Sequence, residues 1–256
     1  MKLDVLISTL GRDGIERVAR MSLPEVEGVS YVVSWQMPEG ELPPELRRPD
    51  LRVFTMEERG VSKNRNNAIE HSRADICLTS DDDLSYTPHQ LLSVLQTFEE
   101  RPDLDVAVFR FDGADGKIYP GTETDFKKIP KYYYVSEVEV AHRRGGRCAS
   151  LRYDERFGRG APVYQSGEGE LFLYQARKMG LNCRFFPITI TTHPRSSTGI
   201  RLSAEKGVLM ATGAILRITK PMTAFLRIPL KAFRNWRSGD PFWRGLYYLA
   251  KGALTI

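Results

Sequence analysis

Short apolar runs alternate with amphipathic segments along the first 111 residues. The apolar runs are typical of buried strands, and they lie at residues 5–7, 29–35, 51–55, 75–79 and 105–111. Helical patterns separate them at residues 15–21, 62–71 and from 88 onward, with Ser62 predicted to cap the second helix. Strands that alternate with helices predict an α/β protein with a doubly wound, mainly parallel sheet.

The pattern changes after residue 111. Residues 112–165 are rich in turns, with strand-like fragments between Tyr132 and Val140, which predicts a small antiparallel β insertion. A helix is predicted over 168–179, followed by strands at 183–186 and 188–192. We therefore predict one domain over residues 1–203, with halves 1–111 and 112–203, and a helical tail over 204–256.

Composition excludes several classes of protein. The 256 residues are 41% hydrophobic and 27% charged, which is typical of a globular protein and excludes disordered and collagen-like chains. Three cysteines without paired spacing argue against a disulfide framework and favour a reducing compartment. The first residues carry too short an apolar run for a signal peptide. We therefore expect a cytoplasmic protein.

The positive charge is concentrated in the tail. Residues 201–256 hold ten Lys and Arg against two acidic residues, whereas the whole chain has a net charge of only +5. This distribution argues against a general nucleic-acid binder and favours a tail that contacts an anionic partner. Because aromatic residues alternate with these cations at helical spacing, the tail is expected either to bind an anionic membrane at the inner face of the cell or to pack against protein.

Three consecutive carboxylates follow the predicted strand at 75–79. Asp81, Asp82 and Asp83 stand where the carboxyl end of a parallel strand meets the ligand-binding edge of an open α/β sheet. Two carboxylates on one side of an extended chain suit Mg²⁺ or Mn²⁺ completed by substrate phosphates. The alternative is a solvated acidic turn. The sequence has no P-loop, no H-E-x-x-H motif and no nucleophile elbow.

Five features occur in a fixed order. They are a first strand that ends in Ser8-Thr9, the segment Gly60 to Ile69, the Asp triplet, Gly167-Glu168 with Phe172, and His193 after a strand. As an ordered set covering residues 3–195, they resemble the family 2 glycosyltransferases of the GT-A fold. That resemblance implies a Rossmann-like sheet and an inverting, metal-dependent transfer of a sugar from a nucleoside diphosphate.

The resemblance also implies roles for individual residues. The nucleotide and donor would be bound by Ser8, Thr9, Leu10, Gln36, Arg65, Asp81 and Asp82. The metal, Mn²⁺ or Mg²⁺, would be held by Asp81, Asp83 and His193. For Arg65 and His193, a purely structural role remains open.

The base that deprotonates the acceptor hydroxyl is expected in the segment that begins the predicted helix at 168. Glu168 and Glu170 are its acidic residues, and both lie in a first helical turn, where the dipole favours the charged form. Relatives often have Glu-Asp here, whereas this chain has Glu168-Gly169. Glu168 is the first choice and Glu170 the alternative.

The predicted function is transfer from a nucleotide sugar, with a UDP-sugar as first choice, to a glycan or lipid-linked acceptor, as in surface polysaccharide synthesis. Gly169 in place of the usual Asp supports one alternative, a non-catalytic nucleotide-sugar or glycan-binding protein. A second alternative is a sugar nucleotidyltransferase, but the segment Leu10 to Gly14 is a poor match to the glycine-rich loop of that class.

Overall fold

A computed structural model describes residues 1–113, 117–129, 133–193 and 205–256. Within these residues, eight strands form one sheet. Their bounds are β1 Leu3–Leu10, β2 Val29–Gln36, β3 Leu51–Met56, β4 Ile76–Asp81, β5 Val106–Asp112, β6 Thr124–Asp125, β7 Val140–Arg143 and β8 Cys183–Thr192.

Seven helices are present in the same described ranges. They are α1 Gly11–Arg20, α2 Val61–His71, α3 Pro88–Glu100, α4 Glu168–Lys178, α5 Lys206–Thr219, α6 Ala224–Arg237 and α7 Phe242–Leu254. Each helix from α1 to α3 follows a strand, as the alternating pattern predicted.

The sheet order is β3-β2-β1-β4-β7-β5-β8-β6. The first four strands are parallel, and β8 is parallel to β5. Strand β7 is antiparallel to β4 and β5, and β6 is antiparallel to β8. The doubly wound, mainly parallel sheet with a small antiparallel insertion is therefore confirmed. The apolar runs of β1 and β4 are buried because these strands have neighbours on both sides.

Three local predictions were wrong. Helix α2 begins at Val61, and the hydroxyl of Ser62 donates to the carbonyl of Phe157 at 2.6 Å, so Ser62 is not the cap. The predicted strands 183–186 and 188–192 form the single strand β8, because a register shift against β5 accommodates the break. The insertion contains less strand than expected, since β6 and β7 are short and 3-10 turns separate them. Tyr132, the predicted start of its strands, lies outside the described residues.

The described chain divides into two compact units. The first contains residues 1–59, 63–152 and 175–193, and the second contains 60–62, 153–174 and 205–256. The predicted division at 203/204 lies outside the described residues, and the predicted division at 111/112 falls near the end of β5. Hence the tail helices belong to a unit that also includes the segment around Glu168.

Each unit has its own core. In the first, Ile7, Val33, Leu78 and Phe109 from the sheet pack with α1 and α3. In the second, α5 packs on the segment 157–171, and α7 packs closely on α5. A Cβ on Gly213 would lie 1.9 Å from the carbonyl oxygen of Leu249, and one on Gly252 would lie 2.0 Å from that of Met210. The interface between α5 and α7 is therefore built on backbone contact.

No helix in the described parts of the chain has the length and apolar character needed to cross a membrane.

Candidate active site

The carboxyl ends of three neighbouring parallel strands bring together the predicted donor residues. Ser8 on β1 is in register with Asp81 on β4, and Leu10 on β1 is in register with Gln36 on β2. The hydroxyl oxygen of Ser8 is buried and has no hydrogen-bond partner among the described residues. Because parallel strands present their carboxyl ends at one edge, residues distant in sequence form one polar site.

Gln36 and Leu10 differ in exposure at this edge. Gln36 is buried, and its side-chain amide donates to the carbonyl of Glu58 in the loop after β3. Leu10 is exposed. Next to Gln36 on β2, the indole of Trp35 donates to the carbonyl of Gly11 at 2.9 Å. Because Gly11 directly follows β1, this hydrogen bond joins the ends of β1 and β2.

The three aspartates point to three different partners. Asp81 accepts a hydrogen bond from the guanidinium of Arg65 at 3.0 Å. Asp82 accepts from Thr9 and Arg17, and Asp83 lies beside His193. The divergence follows from the backbone, which is extended at the end of β4 and then turns. The triplet is therefore not a single acidic cluster.

Arg65 is held inside the site. It lies on α2 and is only 5% exposed, so it is not a surface arginine, although it does pair with a carboxylate as the structural alternative predicted. Its neighbour Asn64 donates to the carbonyl of Thr9 at 2.9 Å and fixes this helix against the end of β1. This pairing places one cation beside Asp81 at the carboxyl edge of the sheet.

Asp82 is anchored by Thr9, a predicted donor residue, and by Arg17, which sequence reasoning did not single out. The hydroxyl of Thr9 donates to Asp82 Oδ2 at 2.7 Å, and Arg17 donates to both carboxylate oxygens at 3.1 and 2.9 Å. The hydrogen bonds between Arg17 and Asp82 raise the pKa of the Arg17 guanidinium. Gly14 makes the contact possible, because a Cβ there would lie 2.2 Å from Thr9 Oγ1 and 3.1 Å from Asp82 Oδ2. Three residues of β1 and α1 thus orient Asp82.

Asp83 and His193 form the last pair. Their side chains approach to 3.5 Å between Oδ2 and Nε2. A bridge of two backbone hydrogen bonds between Ser85 and Thr192, at 2.9 and 3.0 Å, brings the loop after β4 against the end of β8. Burial raises the pKa of Asp83, and His193 opposes that shift.

The side chains present satisfy part of a metal site. Asp83 offers a buried oxygen, Oδ1, that has no hydrogen-bond partner among the described residues, next to the imidazole of His193. Carboxylate oxygen and imidazole nitrogen are donors that Mn²⁺ accepts. In the described parts of the chain, however, no three acidic, histidine or cysteine side chains form a group that could hold a metal. Asp81, the third predicted ligand, is engaged by Arg65.

Glu168 lies in the second unit, at the start of α4. A Cβ on Gly158, which has φ +105°, would lie 2.6 Å from Val61 Cγ1, 3.1 Å from Ser62 Oγ and 3.2 Å from Glu168 Cδ. The carboxyl group of Glu168 therefore lies near Val61 and Ser62, which belong to the same unit. Phe172 anchors α4 by stacking on Tyr153 with 4.4 Å between ring centroids.

Glu170 belongs to the same unit but has different surroundings. It is exposed, and partial desolvation raises its pKa while Lys231 and Lys220 oppose the shift. Being two positions from Glu168 on a helix, it points in a different direction. The two predicted base candidates are thus separated by their environments.

Sequence reasoning missed Gly14, Arg17 and Asn64. Gly14 and Arg17 lie one turn apart in α1, and Asn64 precedes Arg65 inside a motif that was already recognised. The sequence did offer one signal for Arg17: it lies three residues after Gly14 in the predicted first helix, so both are on one helix face. Its partner Asp82 is 65 residues away, and no local pattern connects the two.

One family model matches part of the chain. Residues 41–154 match the family described as Glycosyl transferase family 2, a segment that includes Arg65 and the Asp triplet. No curated protein matches the chain.

Solved structures share the fold. S. aureus TarS is 16% identical with a TM-score of 0.60, and the match covers 91% of this chain and 42% of that one. TarS 1-349 in complex with UDP-GlcNAc is also 16% identical with a TM-score of 0.60, over 91% of this chain and 71% of that one. TarS 1-349 in complex with UDP is 15% identical with a TM-score of 0.57, over 92% and 78%. The chain thus spans less than half the length of the first of these proteins.

The fold is of the GT-A type, and the match over residues 41–154 makes this part of the chain similar to the family 2 glycosyltransferases, which its ordered motifs also resemble.

Proposed function

We propose that the chain transfers a sugar from a nucleoside-diphosphate donor to an acceptor hydroxyl, with inversion at the anomeric carbon. The observation that carries the proposal is the set of polar side chains at the carboxyl ends of β1, β2 and β4, in a chain whose residues 41–154 match the family 2 glycosyltransferase model. A UDP-sugar is the first candidate donor, since TarS, which shares the fold, has been crystallised with UDP-GlcNAc and with UDP. A glycan or lipid-linked acceptor, as in surface polysaccharide synthesis, completes the proposal.

The first unit would bind the donor. The orphan hydroxyl of Ser8 and the exposed Leu10 would line the nucleotide pocket, with Gln36 near the base. Arg65, now paired with Asp81, is the cation available to the donor diphosphate. Asp82 would meet the ribose or the sugar while Thr9 and Arg17 orient it.

Asp83 and His193 would hold a divalent cation, and Asp81 would join them by giving up Arg65 to the diphosphate. Such a cation supplies charge stabilisation to the departing nucleoside diphosphate.

Glu168 would be the general base. Its carboxylate takes the proton of the acceptor hydroxyl as that oxygen bonds to the anomeric carbon, and the bond from the same carbon to the diphosphate oxygen breaks. Glu168 is favoured over Glu170 because it is partly buried near Val61 and Ser62, whereas Glu170 is exposed among the lysines of the second unit.

The metal assignment predicts a loss of cation-dependent nucleotide binding in Asp83→Ala. In wild type, Mn²⁺ should strengthen UDP binding, measured by calorimetry, and EDTA should abolish that gain. Asp83→Ala should lose the gain and keep the affinity measured in EDTA. Asp13→Ala removes an exposed carboxylate from α1 and is the matched control. An undiminished Mn²⁺ effect in Asp83→Ala and in Asp81→Ala would contradict the assignment.

The base assignment predicts that Glu168→Gln binds the donor normally and transfers sugar about 10² to 10⁴ times more slowly, the usual value of a positioned base. The measurement is sugar transfer from radiolabelled UDP-sugars to a panel of glycan and lipid-linked acceptors. Glu170→Gln is the matched control and should retain transfer. The reverse result would move the base to Glu170. Donor binding without turnover in wild type would favour a binding protein, and formation of UDP-sugar from UTP and a sugar phosphate would favour a nucleotidyltransferase.

A further inference from the structure

The tail helices leave large apolar side chains exposed. Trp236 is 52% exposed, Trp243 is 77% exposed and Phe225 is 69% exposed, whereas Trp35, in the sheet, is buried. Two of the three tryptophans of the chain therefore lie outside both cores. Such exposure in a folded helical unit marks an interaction surface.

On α6 the exposed apolar residues form a stripe separate from the packed face. The packed face is Ala224, Ile228 and Ala232, which recur every four residues. At 3.6 residues per turn, the other apolar side chains cover an arc of roughly 140° that does not overlap it. This outer stripe is formed by Phe225, Leu226, Leu230, Phe233 and Trp236.

Helix α7 repeats the arrangement. Its packed face contains Gly245, Leu249, Gly252 and Ala253. Phe242, Leu246 and Tyr248 are partly buried against that core. Three other large apolar side chains, Trp243, Tyr247 and Leu254, are exposed and lie within one arc of the helix. Because α5 and α7 approach by backbone contact at glycines, these large side chains are not needed in the core.

Cations border both stripes. Arg227 and Arg234 lie along one edge of the stripe of α6, Arg237 lies within that edge, and all three are exposed. On α7, Arg244 and Lys251 lie beside Trp243 and Tyr247, and Lys251 Nζ is 5.8 Å from the ring centroid of Tyr247. Residues 205–256 hold nine Lys and Arg against Glu205 and Asp240.

A groove on the same unit continues the cationic border. It has a volume of about 630 Å³ and is lined by Lys206, Arg244 and Lys251, with Gln165 and Thr255 as further polar groups. Glu205 also lines it. Three cations and neutral hydrogen-bonding groups suit the phosphate of a lipid headgroup.

We propose that the outer stripes of α6 and α7 dock on the surface of an anionic lipid bilayer. Tryptophan and tyrosine are favoured at the boundary between headgroups and acyl chains, and neighbouring arginine and lysine pair with anionic headgroups. A second copy of this chain is a poorer occupant, because it would set two strongly cationic faces against each other. The surface binds the membrane from one side and does not insert across it.

The test is co-sedimentation of the full chain with vesicles. Binding is expected to vesicles of phosphatidylcholine with phosphatidylglycerol and to fall off in pure phosphatidylcholine. It should weaken as salt rises, because the attraction is screened beyond about 10 Å at 0.1 M. Tryptophan emission should shift to the blue on binding, since Trp236 and Trp243 leave water while Trp35 is already buried.

Two double variants, each with a matched control, separate the contribution of the cations from that of the exposed apolar side chains. Arg234→Gln with Arg237→Gln should weaken vesicle binding about 25-fold, at about fivefold per near-surface cation. Lys127→Gln with Lys128→Gln removes two exposed cations from the first unit and should have little effect. Trp236→Ser with Trp243→Ser should lose both binding and the blue shift, whereas Leu92→Ser, at an exposed apolar position on α3, should keep them.

Three outcomes would overturn the proposal. One is equal binding to neutral and anionic vesicles. Another is binding that none of the tail variants alters. The third is absence of vesicle binding together with a dimer, seen by sedimentation equilibrium, that Trp236→Ser with Trp243→Ser dissociates. All these side chains are exposed, so melting temperatures close to wild type will show that each variant is folded.

Discussion

At the scale of single residues, the site depends on small neighbours as much as on its charged groups. Asp82 is oriented by Thr9 and Arg17, and their contact exists because residue 14 has no side chain. The aspartates alone would repel one another. Pairing each with a different partner reduces that repulsion and sets three directions for three carboxylates.

Gly14→Ala tests this arrangement. Alanine normally favours a helix over glycine by about 1 kcal/mol, but here its Cβ would lie 2.2 Å from Thr9 Oγ1 and force the Thr9–Asp82 hydrogen bond to break. We expect a net loss of about 1 to 2 kcal/mol in the free energy of unfolding, measured by denaturant titration, together with weaker UDP binding.

Gly245→Ala is the matched control for this substitution. It also replaces a helical glycine, but a Cβ there would meet no atom within 4 Å, so the variant should gain the ordinary helix preference. If Gly14→Ala is stabilised as much as Gly245→Ala, the contact between Thr9 and Asp82 is not rigid.

At the scale of secondary-structure elements, the site is assembled by strand ends and by short connections between them. The backbone bridge between Ser85 and Thr192 joins the loop after β4 to the end of β8, and it thereby places Asp83 beside His193. Neither element alone makes this pair. A contact between distant segments also explains why Ser62 does not cap α2, since its hydroxyl donates to the carbonyl of Phe157 instead.

At the scale of the whole molecule, a buried histidine outside the site links stability to pH. His142 lies on β7 between β4 and β5, is 1% exposed, and faces the carbonyl of Arg143 with Nδ1 at 2.8 Å. Burial lowers the pKa of His142 to about 4. The imidazole is therefore neutral in the folded protein at a pH where it is protonated in the unfolded chain.

This shift predicts acid destabilisation. The unfolded chain binds more protons than the folded one between its histidine pKa of about 6.5 and the folded value, so stability falls as the pH is lowered through that window. The loss from His142 should reach about 3 kcal/mol at the lower end. His142→Asn keeps a donor for the Arg143 carbonyl but does not titrate. Its melting temperature should fall less than that of wild type between pH 6.5 and 4, and parallel curves would show that His142 is not responsible.

The sequence by itself determined the succession of strands and helices and the polar residues at the ends of β1, β2 and β4, because these depend on local periodicity and on motifs confined to short segments. Asp81, Arg65 and Ser8 could be named as candidate site residues for that reason. Only the tertiary structure decided which groups meet, such as Arg65 with Asp81, Arg17 with Asp82, and Asp83 with His193. These pairs join residues up to 110 positions apart, and their formation depends on sheet order and on one backbone bridge. In the tail, the pattern of aromatic residues and cations can be read from the local sequence. Which face of α7 remains exposed is decided by the glycine contacts that pack α7 on α5.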